Sequence, residues 1–290
     1  LDQWKEDVSP NGRGFTVVRG IPVDEWSEED SKLFFWGFGR HFGVPGAQNN
    51  DGDLLGHVVD TGADPKTSRQ YKTNVHILPH CDSADVVGLL CLQSAREGGT
   101  SRLVSSVTIH NEMLKRHPES IERLYRPFPL DTRGSGGVSW VPIEPLRLDS
   151  EGILRTFYHT EYYRSVYGSH VPDAPDKKIP EEDLRVLEQY DALANDEELY
   201  LDMDFLPGDV QLLSNHFILH SRSGYTDEKN RKRYLLRLWL SMNETASFGS
   251  WDWYVPSIRS HDKKRADDDD DDTMLTIGVS FLYFFFFFFF

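Results

Sequence analysis

The stretch Leu78–Asp82 limits the fold more than any other part of the chain, because it places two metal-binding side chains beside a strand-like run. His80 and Asp82 are two residues apart, and in an extended chain residues i and i+2 project from the same face. They can bind one ion from one side and leave the opposite coordination positions open. The continuous apolar run that follows, from Asp85 to Leu92, predicts a buried strand. The pair therefore predicts a metal site at the edge of a β structure.

Short strand-like runs separated by turn signals recur along the chain. Further strands are predicted over 14–20, 101–104, 153–158, 210–214, 217–220 and 234–240, and helices over 28–42, 105–115 and 181–194. The segment 48–69 is rich in Gly, Asp and Asn, and the segment 127–150 is rich in Gly, Pro and Ser. Both are predicted to be loops. This pattern predicts a mainly β fold with flanking helices, a double-stranded β-helix (jelly roll).

Composition narrows the class of partner. The net charge of -16, from 31 Lys and Arg against 47 Asp and Glu, argues against nucleic acid, which needs a basic surface. Only two cysteines occur, Cys81 and Cys91, so a reducing, cytoplasmic location is predicted. The chain opens on Leu1 rather than Met, so a targeting segment could precede it. A small-molecule partner is expected, and the oligomeric state stays open, with a homo-oligomer compatible with the sequence.

The C-terminal part differs in character from the rest. An acidic run, Asp267 to Asp272, is followed by an apolar stretch, 273–290, that ends in seven phenylalanines. That stretch only just reaches the membrane-spanning length of roughly 18 residues, and its single-residue repeat is typical of low-complexity sequence rather than of a membrane anchor. We therefore predict one domain over residues 1–258 and a low-complexity tail over 259–290 outside the fold.

One more imidazole would complete the metal site. Two histidines and one carboxylate on one face of an ion form the facial triad of non-haem Fe(II) oxygenases, whose open positions accept substrates and O2. Among the 11 histidines, His220 ends an apolar run, His216 lies on the same segment at an even offset, and His159 is a third candidate. The residue pattern alone leaves this choice open.

The last predicted strand carries two arginines on one face. Arg233, Leu235, Arg237 and Trp239 alternate with apolar neighbours and so project to the same side. If that side lines the interior, the guanidinium groups need anionic partners, because an unpaired buried charge is costly. Arginine binds a carboxylate in a planar, bidentate manner that lysine does not match. The alternative is that these arginines lie on a solvated edge.

Four ordered motifs indicate a family. The chain contains HCDSADVVGLLCL, EGGTSRLVSS, PGDVQLLSNHFILHSR and RKRYLLRLWL, and in this combination it resembles the TauD/TfdA family of Fe(II)- and 2-oxoglutarate-dependent dioxygenases. The resemblance covers roughly residues 14–241. It implies that His80, Asp82 and His220 are the metal ligands, which selects His220 among the three candidates.

The resemblance also implies a cosubstrate site. Arg237 matches the arginine that pairs with the distal carboxylate of 2-oxoglutarate, and Arg233 matches one nearer the iron. Ser101 matches a hydroxyl residue that assists the same carboxylate, a position that can be Thr in the family. The implied reaction is oxidation, chiefly hydroxylation, of a C–H bond of a small organic substrate by O2, with release of succinate and CO2.

Two other functions use parts of the same pattern. A zinc hydrolase could use the three metal ligands but offers no role for Arg237 or Ser101. A non-catalytic jelly-roll binding domain would be expected to lack a ligand. For the substrate itself the family positions give only candidates, because the chain has His76 where taurine enzymes carry an asparagine. The substrate candidates are Tyr71, Asn74, His76, Asn215, Arg222 and Tyr225.

Overall fold

A computed structural model describes residues 1–49, 51–64, 68–133, 139–171, 173–174 and 178–242. Within them the chain forms two main antiparallel sheets and three smaller two-stranded ones. The strands are β1 (Phe15–Val18), β2 (Val44–Pro45), β3 (Leu55–Val59), β4 (Ile77–His80), β5 (Val86–Gln93), β6 (Glu97–Gly98), β7 (Ser101–Ser105), β8 (Phe128–Asp131), β9 (Trp140–Ile143), β10 (Leu146–Leu148), β11 (Leu154–Thr156), β12 (Tyr200–Met203), β13 (Val210–Ser214), β14 (Ile218–Arg222), β15 (Tyr225–Thr226) and β16 (Tyr234–Ser241). The α-helices are α1 (Asp2–Val8), α2 (Glu28–Arg40), α3 (Ser106–Arg116), α4 (Thr160–Ser165) and α5 (Glu181–Ala194), with 3-10 turns at Gln70–Lys72 and Ile121–Tyr125.

The two main sheets form the body of the fold. The larger has the order β1-β13-β5-β16-β2, with β3 also paired to β16, and the smaller has the order β12-β7-β14-β4. Neighbours in space are mostly distant in sequence, as crossing connections in a jelly roll require. One cavity is lined by residues of both sheets. The predicted mainly β jelly roll with flanking helices is confirmed.

The two faces of strand β16 have different surroundings: one packs into a hydrophobic core and the other lines the cavity. Its even-numbered side chains, such as Leu236 and Leu238, join a cluster with Phe35 of α2. Its odd-numbered side chains, including Arg237 and Trp239, line the cavity. Helix α2 is positioned for this packing by Ser27, whose hydroxyl caps it by accepting a hydrogen bond from the Asp30 N–H at 3.1 Å. The arginine face predicted from the sequence therefore points inward and is not a solvated edge.

A second core covers the smaller sheet. Helices α3 and α5 bury Met113, Leu187 and Tyr190 against strand residues such as Leu219. The Cys81 side chain also belongs to this core, so it points away from the cavity-side ligands next to it in sequence. This core holds the outer side of the sheet that carries both candidate histidine ligands.

Two segments predicted as loops contain strands. β3 lies within 48–69, and β8, β9 and β10 lie within 127–150. These strands are three to five residues long. β3 pairs with the distant β16, β8 pairs with β9, and β10 pairs with β11, so pairing rather than local composition produces them. The predicted tail over 259–290 lies outside the described residues, and the single domain over 1–258 stays a prediction. Within the described ranges, no helix has the length and apolar character needed to cross a membrane.

Candidate active site

His80, Asp82 and His220 come together at one end of the cavity. β4 and β14 are antiparallel neighbours in which His80 lies directly opposite His220, with ring centroids 4.3 Å apart. The Nε2 atoms of His80 and His220 lie 3.8 and 3.6 Å from the two carboxylate oxygens of Asp82. Ligand atoms of all three residues lie within 4.8 Å of one another. Two imidazoles and one carboxylate at this spacing fit a single divalent transition-metal ion.

Hydrogen bonds outside the cluster orient its members. The Nδ1 of His80 lies 2.8 Å from the Leu78 carbonyl oxygen and donates to it, which leaves the Nε2 lone pair free for a metal. The Asp82 N–H donates to the side-chain oxygen of Asn215 at 3.1 Å, and the Asn215 amide donates to the Ala84 carbonyl at 2.8 Å. Asn215 therefore holds the turn that carries Asp82.

The charge state of the cluster also suits a metal. Burial alone would raise the pKa of Asp82, but the charges of Arg237, the two histidines and Arg69 together outweigh it and hold that pKa well below its usual range. Burial, reinforced by the neighbouring His80, lowers the pKa of His220 to about 3. A carboxylate and a neutral imidazole are the forms that ligate a cation, so neither group has to lose a proton near neutral pH.

Arg237 lies beside the metal cluster. Its Nη1 donates to Asp82 at 3.1 Å and its Nε donates to the Gln48 side-chain oxygen at 2.8 Å. Its guanidinium also faces the rings of Tyr71 and Trp239, at 4.9 and 4.8 Å from the centroids. The Trp239 indole N–H donates to the same Asp82 oxygen at 2.9 Å. Arg237 and Trp239 thus both hold the Asp82 oxygen that lies 3.6 Å from the His220 Nε2.

Arg233 lies farther from the cluster, against the turn that precedes β7. Its Nη2 donates to the Gly99 carbonyl at 3.5 Å, and a Cβ at Gly99 would lie only 2.8 Å from its Nε. Ser101 is buried in the same cavity wall, with its hydroxyl 3.3 Å from Gln211. The family resemblance gives Arg233 as the arginine nearer the iron, whereas in the structure Arg237 is the one that contacts a candidate metal ligand. Strand alternation places both on one face but does not say which end of that face meets the ion.

The six substrate candidates lie in four different environments. Tyr71 and Arg222 line the cavity, and their contact with the substrate stays a prediction. Asn74 and His76 are exposed and are not among its lining residues. Asn215 is fully buried behind the Asp82 turn, so its proposal as a substrate contact is wrong: both ends of its amide are used by backbone groups.

Tyr225 lies between two arginines rather than in the open cavity. The guanidinium carbons of Arg222 and Arg233 are 4.6 and 5.3 Å from its ring centroid. Burial, with the charge of Arg233, lowers the pKa of Arg222 to about 10. Burial likewise lowers the pKa of Arg233.

Other histidines have different surroundings. His216 is buried with its Nε2 3.1 Å from Asp85, so it is not the third ligand. His159 forms a backbone bridge with His80, and its ring lies 4.9 Å from the His80 ring and 3.7 Å from that of Tyr162. Burial holds the pKa of His159 well below its usual value. His159 and Tyr162 both line the cavity, and sequence reasoning missed Tyr162 and considered His159 only as a ligand.

This arrangement defines a class of protein. A jelly roll with a His-Asp-His cluster and buried arginines in the same cavity is the architecture of a mononuclear non-haem oxygenase. The family described as "Taurine catabolism dioxygenase TauD, TfdA family" matches residues 5–239, so the chain belongs to that family. It is a 2-oxoglutarate-dependent dioxygenase of small organic substrates, and the predictions of family and enzyme class are confirmed.

Individual proteins are similar over most of the chain. FR-33289 synthase from Streptomyces rubellomurinus is 28% identical over 249 residues, which cover 82% of this chain and 72% of that protein. Asparagine oxygenase, solved in complex with Fe(II), 2S,3S-3-hydroxyasparagine and succinate, superposes with a TM-score of 0.63 at 17% identity, covering 83% of this chain and 77% of the other. The non-heme iron oxygenase OrfP, solved with Fe and alpha-ketoglutaric acid, gives a TM-score of 0.56 at 14% identity, covering 83% and 79%. The two structures show the shared fold.

Proposed function

We propose that this dioxygenase holds Fe(II) through His80, Asp82 and His220, binds 2-oxoglutarate against Arg233 and Ser101, and uses O2 to hydroxylate its substrate. One observation carries the proposal: a single cavity joins the three ligands to a buried arginine whose Nη1 has no hydrogen-bond partner among the described residues. A buried guanidinium with a free donor fits a carboxylate. Solved oxygenases of the same fold were crystallised with iron and with alpha-ketoglutaric acid or succinate.

The bound iron supplies the redox chemistry with O2. The protein positions the side chains that bind the metal. The Leu78 carbonyl fixes the His80 tautomer, while Arg237 and Trp239 hold the Asp82 carboxylate in one orientation. The buried walls exclude bulk water from the reacting atoms.

The distal carboxylate of 2-oxoglutarate is assigned to Arg233 rather than to Arg237. Arg237 already donates to Asp82 through Nη1 and to Gln48 through Nε, so two of its three nitrogen atoms have partners within the protein. Arg233 lies farther along the same strand face, where the far end of a cosubstrate anchored at the metal would reach. Ser101 lines the same part of the cavity and can donate its hydroxyl hydrogen to that carboxylate.

The substrate is assigned to the aromatic part of the cavity wall. The aromatic lining residues are Tyr71, Trp239, His159 and Tyr162. The His159 Nδ1 is buried without a hydrogen-bond partner in the described part of the chain, so it can form a hydrogen bond with a polar group of the substrate. We infer a small substrate with a polar group close to the carbon that is oxidised.

The cysteines support a cytoplasmic location. Cys81 and Cys91 are both free and buried. Burial raises the pKa of the Cys81 thiol to about 12 and that of Cys91 to about 11. Such thiols are unreactive packing groups, and a reducing compartment suits a protein that has no need of a disulfide.

The two alternative functions explain less of the site. A zinc hydrolase leaves the buried Arg233 without an anion, and a non-catalytic binding domain does not account for a complete set of three ligands. The direct test is a screen of purified protein with Fe(II), 2-oxoglutarate and O2 across amino acids, sulfonates, phosphonates and small carboxylic acids. We expect at least one compound to stimulate succinate release, with none from Asp82→Ala. Turnover of ester or amide substrates with Zn(II), and no succinate with iron, would refute the proposal.

A further inference from the structure

Arg222 lies at the cosubstrate end of the cavity. On β14 it is two residues after His220, so the two side chains project to the same side of the strand, roughly 7 Å apart along it. On the neighbouring strand its partner in register is Ser101, and directly opposite residues of an antiparallel pair share a face. The metal cluster, Ser101 and Arg222 therefore follow one another along one wall of the cavity.

The guanidinium of Arg222 is only partly used by the protein. Its Nη2 donates to the backbone carbonyls of Thr73 and Val75. Its Nε and Nη1 are buried and have no hydrogen-bond partner in the described ranges, as is true of the Nη1 of Arg233. Arg222 is 6% exposed and Arg233 4% exposed, so water does not readily satisfy these donors.

The two arginines also lack a counterion among the residues that the structure describes. Both guanidiniums lie against the Tyr225 ring, and no carboxylate among the described residues forms an ion pair with either. Two buried positive charges around one ring repel each other and remain poorly solvated. The Tyr225 hydroxyl is itself buried without a partner in the part of the chain that the structure describes. Unsatisfied donors of this number and charge fit a bound carboxylate.

We propose that Arg222 and Arg233 together hold the distal carboxylate of the 2-oxo acid, so that Arg222 is a specificity residue for the cosubstrate and not a substrate contact. The inference rests on the proposed function, because it needs 2-oxoglutarate to be anchored at the metal cluster. Two guanidiniums and one hydroxyl then select a dicarboxylic 2-oxo acid over a monocarboxylic one of the same length. A ligand without the second carboxylate leaves both charges unpaired.

The test compares two ligands on three proteins. Anaerobic, Fe(II)-loaded wild type, Arg222→Gln and Arg222→Lys are titrated with 2-oxoglutarate and with 2-oxopentanoate, which has the same chain length but no distal carboxylate. We expect Arg222→Gln to weaken 2-oxoglutarate binding at least tenfold and to leave 2-oxopentanoate unchanged, with Arg222→Lys in between. Arg102→Gln is the control, because Arg102 pairs with Asp202 on the outer side of the same sheet.

The ratio of the affinities for 2-oxoglutarate and 2-oxopentanoate distinguishes a role of Arg222 in cosubstrate specificity from a purely structural role. If Arg222 only tethers the backbone at Thr73 and Val75, both ligands weaken together and the ratio stays at the wild-type value, which overturns the proposal. A 2-oxoglutarate affinity within twofold of wild type in Arg222→Gln overturns it as well. Failure of wild type to bind 2-oxoglutarate at all would instead refute the underlying cosubstrate assignment. Arg222→Lys gives the same comparison if the glutamine variant does not fold.

Discussion

Replacing Arg237 by methionine should destabilise the protein far more without metal than with it. In the metal-free protein Arg237 supplies the guanidinium that contacts the buried Asp82 carboxylate, at 3.1 Å. Removing one partner of a buried ion pair costs about 3–5 kcal/mol, because the other charge is left uncompensated. A bound divalent ion compensates Asp82 itself, so only the Gln48 hydrogen bond and the ring contacts are lost, at about 1 kcal/mol.

Thermal unfolding measures this difference. For a chain of this size a loss of 1 kcal/mol lowers Tm by roughly 2–4 °C, so Arg237→Met should unfold roughly 10 °C below wild type in chelator and only a few degrees below it with Mn(II). Arg102→Met is a matched control, since its partly exposed pair with Asp202 is worth about 0–1 kcal/mol. Equal losses with and without metal would show that the ion does not bind at Asp82.

Three further predictions concern the surroundings of the site. Asn215→Ala should lower the free energy of unfolding by about 2–4 kcal/mol, because two buried backbone groups lose their partners; urea denaturation measures this. Gly99→Ala should weaken 2-oxoglutarate binding about tenfold or more by displacing Arg233, whereas Gly62→Ala, also at positive φ but with open space around it, should cost only about 1 kcal/mol of stability. In the metal-free protein, His220 should lower the free energy of unfolding by about 1.4 kcal/mol per pH unit as the pH falls from about 6.5 towards 3. The reason is that the pKa of His220 is lowered in the folded protein, so only the unfolded chain takes up the proton in this range. The His220→Gln variant should lack this pH dependence.

Each of these has a clear contrary outcome. An Asn215→Ala protein of wild-type stability with a raised KM for substrate would restore asparagine as a substrate contact. Equal 2-oxoglutarate affinity in the two glycine variants would remove Arg233 from the cosubstrate site. An unchanged pH slope in His220→Gln would mean that His220 is not buried in its neutral form.

Sequence signals within a single segment were sufficient to predict some helices and strands. The predicted helix over 181–194 has the same bounds in the structure, because Pro180 at its start and the apolar period of the helix are both encoded within the segment. By contrast, β3 forms by pairing with residues 234–238 of β16, and the Gly- and Asp-rich sequence around β3 does not indicate that partner. Non-local pairing is the kind of information that a window of sequence lacks.

In the candidate site, too, some features follow from local sequence and others depend on how distant strands pair. His80 and Asp82 are close in sequence, so their spacing alone predicts a shared ion. Residue reasoning left three candidates for the remaining histidine, and the register of β14 against β4 is what brings His220 opposite His80. Alternation placed the arginines on one face of the strand, but whether that face is interior, and their order relative to the metal, depend on how the two sheets close around the cavity.

The central claim is that Fe(II) and 2-oxoglutarate meet at His80, Asp82 and His220. Adding 2-oxoglutarate to the anaerobic, iron-loaded protein tests it most directly by visible absorption. We predict a weak charge-transfer band that saturates at one cosubstrate per chain and is absent from His80→Ala. A folded, iron-loaded wild-type protein that shows no band, or a band that persists unchanged in His80→Ala, would contradict the account.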